Sequence, residues 1–199
     1  IHIRSPYDSM NAKLDVPCTL TLQFFIRNDK LSLAVNMRSS DLILGLALDV
    51  PAFTMFQEMM ANDLTVKLGR EIKLGDYIHT SNSLHIYEKH FDMAEKIIAE
   101  FNSPDSEYDN PPMSPLPMSR NLPLELIRTA EGMIRSSNDT DSLSKRIDSI
   151  LNSNIVLDDY WIDWIFILAS HRARKLGDKS LSKLFLEQCK FSGYNFFDK

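Results

Sequence analysis

Cysteine is nearly absent: Cys18 and Cys189 are too few for a disulfide framework, and no C-x-x-C pair offers a zinc site. Such sparing use fits a reducing compartment, so a cytoplasmic protein is expected. Long apolar runs are missing too. The longest, Tyr160 to Ala169, is interrupted by Asp163 and is too short to cross a bilayer. No signal peptide is visible. The chain opens on Ile1 in a strand-like I-H-I-R without an initiator methionine, as the remainder of a longer protein would. An excess of one charge is also lacking. With 22 basic and 27 acidic residues interspersed, the net charge of −5 excludes a chain built to coat nucleic acid or an anionic membrane. The 44% apolar content is ordinary for a soluble globular protein, and 199 residues allow one compact domain with a small appendage.

What is present changes along the chain. Thr19 to Ile26 alternates apolar and polar residues, Asn28-Asp29 supplies turn chemistry, and Leu31 to Met37 alternates again, which predicts a β-hairpin. Cys18 then begins one strand and Arg38 ends its partner, and antiparallel pairing brings them together. Asp49 to Leu64 predicts a helix, with Asp49 as N-cap and Pro51 in the first turn. Its stripe of Phe53, Phe56, Met59 and Met60 is core packing rather than a cofactor box. Gly69 to Leu74 is expected as a loop or edge segment, Asp76 to Ser81 as a strand and Glu88 to Phe101 as an amphipathic helix. In S-L-H-I-Y, period-two spacing puts His85 and Tyr87 on one face.

Residues 102–120 hold five prolines among Asn, Asp and Ser, which reads as a linker. Beyond it, Leu122–Ile134, Ser142–Leu151, Asp158–Leu176 and Ser180–Cys189 have helical periodicity, with Gly177 as a helix stop. The expected organisation is a domain over 1–102, a linker over 103–120 and a helical module over 121–199. An apolar stripe through Leu157, Tyr160, Trp161, Trp164, Ile165 and Leu168 is most simply that module's core; a groove for a protein partner is the other reading.

Three short motifs occur in order: Pro17-Cys18, Arg38-Ser39-Ser40-Asp41 with Gly45 behind it, and His85-x-Tyr87. With twenty residues from Cys18 to Arg38 and eight from Asp41 to Asp49, the run from Val16 to Tyr87 resembles the thymidylate synthase family. Its wording looks most like the deoxycytidylate (dCMP) hydroxymethylases of phages within that family. The resemblance covers about the first hundred residues, so the first domain is a partial thymidylate synthase-like catalytic domain, and 121–199 match nothing in the family. There are departures. Asp49 stands where the family has a base-reading asparagine, Thr19 follows the cysteine where synthases have histidine, and the helical module takes the place of their closing tail.

The resemblance implies an α/β fold: a thymidylate synthase-like mixed, largely antiparallel sheet packed with helices, here with a C-terminal helical extension. It implies a homodimer with sheets face to face, a pyrimidine nucleoside monophosphate as substrate and 5,10-methylenetetrahydrofolate as cofactor. Cys18 would add to C6 of the base. Arg38 and Ser39 would hold phosphate, Asp41 would contact folate or base, and His85 with Tyr87 would bind the sugar 3′-hydroxyl. Each has a plainer reading: Cys18 as structural, Arg38 as a surface salt bridge with Asp41, His85 and Tyr87 as strand caps, Asp49 as a helix cap. Cys189, His79 and His90 read as structural and Glu58 as solvent-facing. The family's general-base glutamate and the arginines lent across its dimer would precede Ile1.

Asp49 bears on the substrate through hydrogen-bond arithmetic. Uracil offers an acceptor O4 and a donor N3–H, which suit an asparagine amide; a carboxylate accepts instead from the cytosine amino group and from N3 when protonated. The reading is therefore folate-dependent C5 hydroxymethylation of a cytidine nucleotide, dCMP. The alternatives are methylation of dUMP, or a non-catalytic nucleotide-binding or scaffold protein whose helices recruit a partner.

Overall fold

The structure is a computed structural model that describes Ile1, Ile3 and residues 16–103, 116–117, 123–153 and 157–191. The chain divides into two compact units, Ile1–Tyr108 and Asp109–Lys199. Apart from Ser103, Leu116 and Pro117, the expected linker lies outside the described residues.

In the first unit, β1 (Thr19–Arg27) and β2 (Lys30–Met37) form the expected hairpin. Asn28 and Asp29 both take positive φ, 50° and 58°, the primed turn whose twist matches that of the strands. Ile1 and Ile3 add backbone bonds along the outer side of β1, from Ile3 N–H to Leu20 and from Leu22 N–H to Ile1. The second strand then pairs in parallel with β4 (Lys73–Ser81), giving the order β1-β2-β4. A separate parallel pair joins β3 (Ser40–Asp41) to β5 (Leu84–His85). The sheet is mixed, as expected: among the described residues β1 and β2 pair antiparallel, and β2 with β4 and β3 with β5 pair in parallel.

Helix α1 runs from Gly45 to Leu68 and ends at Gly69, whose φ of 64° is the left-handed stop that glycine adopts without cost. This corrects the expected start. Asp49 is not the N-cap, and Pro51 lies inside the helix rather than in its first turn. The reason is Asp41, whose carboxylate accepts from the backbone N–H of Ile43 and Leu44 and so starts the helix earlier. The missing N–H of Pro51 is a local defect that the helix runs through. Phe53 packs on the cluster Leu22, Leu33, Val35 and Met37, and Met60 on Leu31, Ala61 and Ile72, while Phe56 stays exposed. After β5 a single 3-10 turn (Glu88–His90) leads into α2 (Phe91–Phe101).

The second unit holds α3 (Leu124–Arg135), α4 (Thr140–Leu151), α5 (Asp159–Lys175) and α6 (Lys179–Glu187). Asp139 caps α4 with Ser142 in a reciprocal capping box, and Gly177 ends the α5 segment at φ 89°. Ala130, Ile134, Leu143, Ile147, Ile165, Phe166 and Phe185 make its core. Tyr160, Trp161 and Ile165 of the apolar stripe are buried and Leu157 and Leu168 pack against the core cluster, so most of that stripe is core. The last helix stops at Glu187, two residues short of Cys189. Among the described residues no helix is long and apolar enough to cross a membrane.

Candidate active site

The hairpin does what its register requires at the open end. The Cys18 carbonyl accepts the Arg38 N–H at 2.9 Å, so residues twenty apart in sequence face one another. Cys18 is exposed with a free thiol. The Arg38 guanidinium turns back on the strand that leads to Cys18, donating from Nη2 to the Val16 carbonyl at 2.8 Å and from Nε to the Pro17 carbonyl at 3.2 Å. A fixed positive charge is thus tied to the two residues before the thiol, and the guanidinium has further N–H donors to give.

Ser39 is half-buried where the chain leaves β2 for β3. The β3–β5 pairing brings the second and third motifs side by side, with Asp41 opposite His85. Leu42 N–H bonds the His85 carbonyl at 2.8 Å, and Ser40 N–H the Ser83 carbonyl at 2.9 Å. The salt bridge weighed for Arg38 and Asp41 is not the arrangement found: Asp41 Oδ2 lies 3.8 Å from Nδ1 of His90. Burial acts to raise the Asp41 carboxyl, yet the Leu44 and Ile43 N–H groups and His90 outweigh it and hold it below the usual carboxylate range. His85 and Tyr87 meet edge to face with ring centroids 4.9 Å apart, and Tyr87 in turn faces His90 at 6.3 Å. Ser40 Oγ and His90 Nδ1 are buried without a hydrogen-bond partner.

Asp49 lies in the second turn of α1, half-buried. Burial pushes its carboxyl above the ordinary value, and His79 opposes that push. Tyr77 and His79 alternate with exposed neighbours along β4, and the Tyr77 hydroxyl is 2.8 Å from His79 Nδ1. Sequence reading passed over this pair and His90 because none sits in a motif. The signal was there: Tyr77-x-His79 shares one strand face by the same period-two rule that picked out His85 and Tyr87.

A strand-end thiol beside a fixed cation suits covalent attack on an anionic substrate. Residues 4–111, more than half of the chain, match the family profile described as thymidylate synthase. The chain belongs to the thymidylate synthase family. Membership implies folate-dependent one-carbon transfer to C5 of a pyrimidine nucleotide, and thymidylate synthase family members are typically dimeric. The family's cofactor is a methylenetetrahydrofolate. Asp41 and His90 fit such a ligand: each Asp41 oxygen keeps a lone pair beyond its backbone bond, and Nδ1 of His90 beside it is buried without a partner. That set suits the N–H and carbonyl groups of a pterin-like ring.

Proposed function

We propose that the chain hydroxymethylates C5 of a cytidine nucleotide, dCMP, as the deoxycytidylate hydroxymethylases it resembles do. The observation that carries this reading is Asp49. Its carboxylate is half-buried and is not spent on the N-terminus of α1, so it is available to a base. A carboxylate accepts from the cytosine amino group and from protonated N3; uracil would set its O4 lone pairs against it. An unmatched buried polar group costs about 1–3 kcal/mol.

In this reading the substrate phosphate rests on Arg38 and Ser39, and His85 with Tyr87 holds the sugar. A free Cys18 thiol fits a reducing, cytoplasmic setting. As the Sγ–C6 bond forms, the C5–C6 electron pair moves to C5 and makes it nucleophilic. The folate, when bound beside Asp41 and His90, would give its methylene to C5 and leave as tetrahydrofolate, and water would then supply the hydroxyl. Loss of the C5 proton and expulsion of Cys18 restore the ring. The working form is a homodimer with its sheets face to face, and the helices beyond residue 121 form a separate module.

Two variants test this. Cys18→Ala is expected to abolish both turnover and tritium release from C5, while Cys189→Ala leaves both intact; exchange persisting without Cys18 would sink the nucleophile assignment. Asp49→Asn is expected to shift the ratio of kcat/KM from dCMP toward dUMP by at least about tenfold, or 1.4 kcal/mol. An unchanged ratio removes Asp49 as reader of the base, and a native preference for dUMP would make the chain a dUMP methylase instead.

A further inference from the structure

Helix α1 crosses β4 so that two side chains one turn apart, Gln57 and Phe53, meet the strand, and Asp49 stands one turn further back. Gln57 bonds the carbonyls of Gly75 and Asp76, Phe53 packs on the same apolar cluster as Tyr77, and Asp49 is coupled to His79 and Tyr77. The inward side chains of β2 in this region, Leu33, Val35 and Met37, carry no charge. The carboxylate of Asp41 at the helix start is turned to the N–H groups of Ile43 and Leu44. Tyr77 and His79 are therefore the polar groups of the sheet that answer to Asp49.

Their order fixes what they offer. Burial, and then the charge of Asp49, push the Tyr77 hydroxyl up to about 12, and its oxygen lies 2.8 Å from Nδ1 of His79. With the hydroxyl donating to Nδ1, the ring has its hydrogen on Nε2, an atom that is buried with no hydrogen-bond partner. An enclosed N–H without an acceptor is costly unless something in the working complex uses it. A carboxylate on the facing helix is the group it suits, and a cationic ring would favour the same ionised form.

We propose that His79, held by Tyr77, is the positioning residue through which Asp49 rejects uracil. The inference rests on the base-reading role of Asp49. Uracil pairs with position 49 only if the carboxyl takes up a proton, because the acid, like asparagine, offers one donor and one acceptor. Cytosine protonated at N3 pairs with the ionised form. A donor that favours the carboxylate leaves the dCMP complex as it is and penalises the dUMP complex.

The test is equilibrium binding of dCMP and dUMP to the full chain by titration calorimetry. His79→Asn keeps an amide near Nδ1 for Tyr77 and loses the Nε2 donor; His79→Gln keeps a donor near Nε2. The expected result is a roughly tenfold gain in dUMP affinity for His79→Asn with dCMP affinity unchanged, the size expected for loss of one donor to a charged group, and a ratio near the native one for His79→Gln. Tyr77→Phe, which frees Nδ1, is expected to move the ratio the same way by less. A merely structural His79 would weaken both nucleotides together in His79→Asn, and that result overturns the proposal. So does an unchanged ratio in His79→Asn when Asp49→Asn still shifts it, leaving the base reading intact. If Asp49→Asn leaves the ratio unchanged as well, the base reading fails and the role of His79 fails with it.

Discussion

Gln57 is a buried amide with a measurable duty. The ladder between β2 and β4 runs from Leu31 opposite Leu74 to Leu33 opposite Tyr77, so Ser32 faces both Gly75 and Asp76. A bulge of this kind strips carbonyls of their ladder donors. Gln57, 3% exposed, sends Nε2 to the Leu31 carbonyl at 2.8 Å and to those of Gly75 and Asp76 at 3.2 and 3.3 Å. Two amide hydrogens serve three acceptors. Gln57→Leu keeps the volume and removes both hydrogens, and buried acceptors left unmatched cost about 1–3 kcal/mol each, offset in part by the apolar gain. The net expected loss is about 2 kcal/mol, which lowers the urea midpoint by roughly 1–2 M for a unit of this size. The two tryptophans, Trp161 and Trp164, both lie in α5 of the second unit. Far-ultraviolet circular dichroism therefore follows both units and tryptophan fluorescence follows only the helical one. A change below about 0.5 kcal/mol in the transition of the first unit would refute the account, because that is the scatter of surface substitutions with no structural role. Gly75→Ala attacks the same bulge from the other side: a Cβ there would lie 2.5 Å from Ser32 Oγ and 3.0 Å from the Leu31 carbonyl oxygen. Removing the hydroxyl with Ser32→Ala relieves only the first contact, so the double variant should recover only part of the loss.

Two further expectations concern the helical unit. Burial, and then the charge of Asp163, push the Cys189 thiol up to about 12, so in the folded protein a chromogenic disulfide reagent should titrate Cys18 alone at neutral pH and both thiols after unfolding; rapid reaction of two thiols in the native state contradicts this. Asp139 is held below its ordinary value chiefly by the Ser142 backbone N–H, so its stabilisation is fully present above the unfolded carboxylate's pKa and is lost as pH falls through the folded one; Asp139→Ala should flatten that acid-side decline in fluorescence-detected stability, and a parallel decline in the variant would count against the cap.

The hairpin, the helix stop at Gly177 and the helices of the second unit were legible because each depends on local chemistry: period-two alternation, a primed turn, a left-handed glycine. What was not legible depends on partners far away in sequence. Asp49 looks like an N-cap by composition, and it would be one if Asp41 did not already supply the acceptor that the helix entrance needs. That displacement changes the site. A carboxylate spent on capping has its lone pairs turned to its own backbone; one carried into the second turn is set by whatever strand lies beneath. Gln57 fixes which strand residues those are, since its bonds to Gly75 and Asp76 leave His79 for the position two turns earlier. The bulge anchor and the carboxylate proposed to read the base therefore lie on one helix face, two turns apart. Gln57→Leu should then loosen the discrimination between dCMP and dUMP under conditions where the fold is still fully populated, and unchanged discrimination there would mean that Asp49 is held by the helix alone.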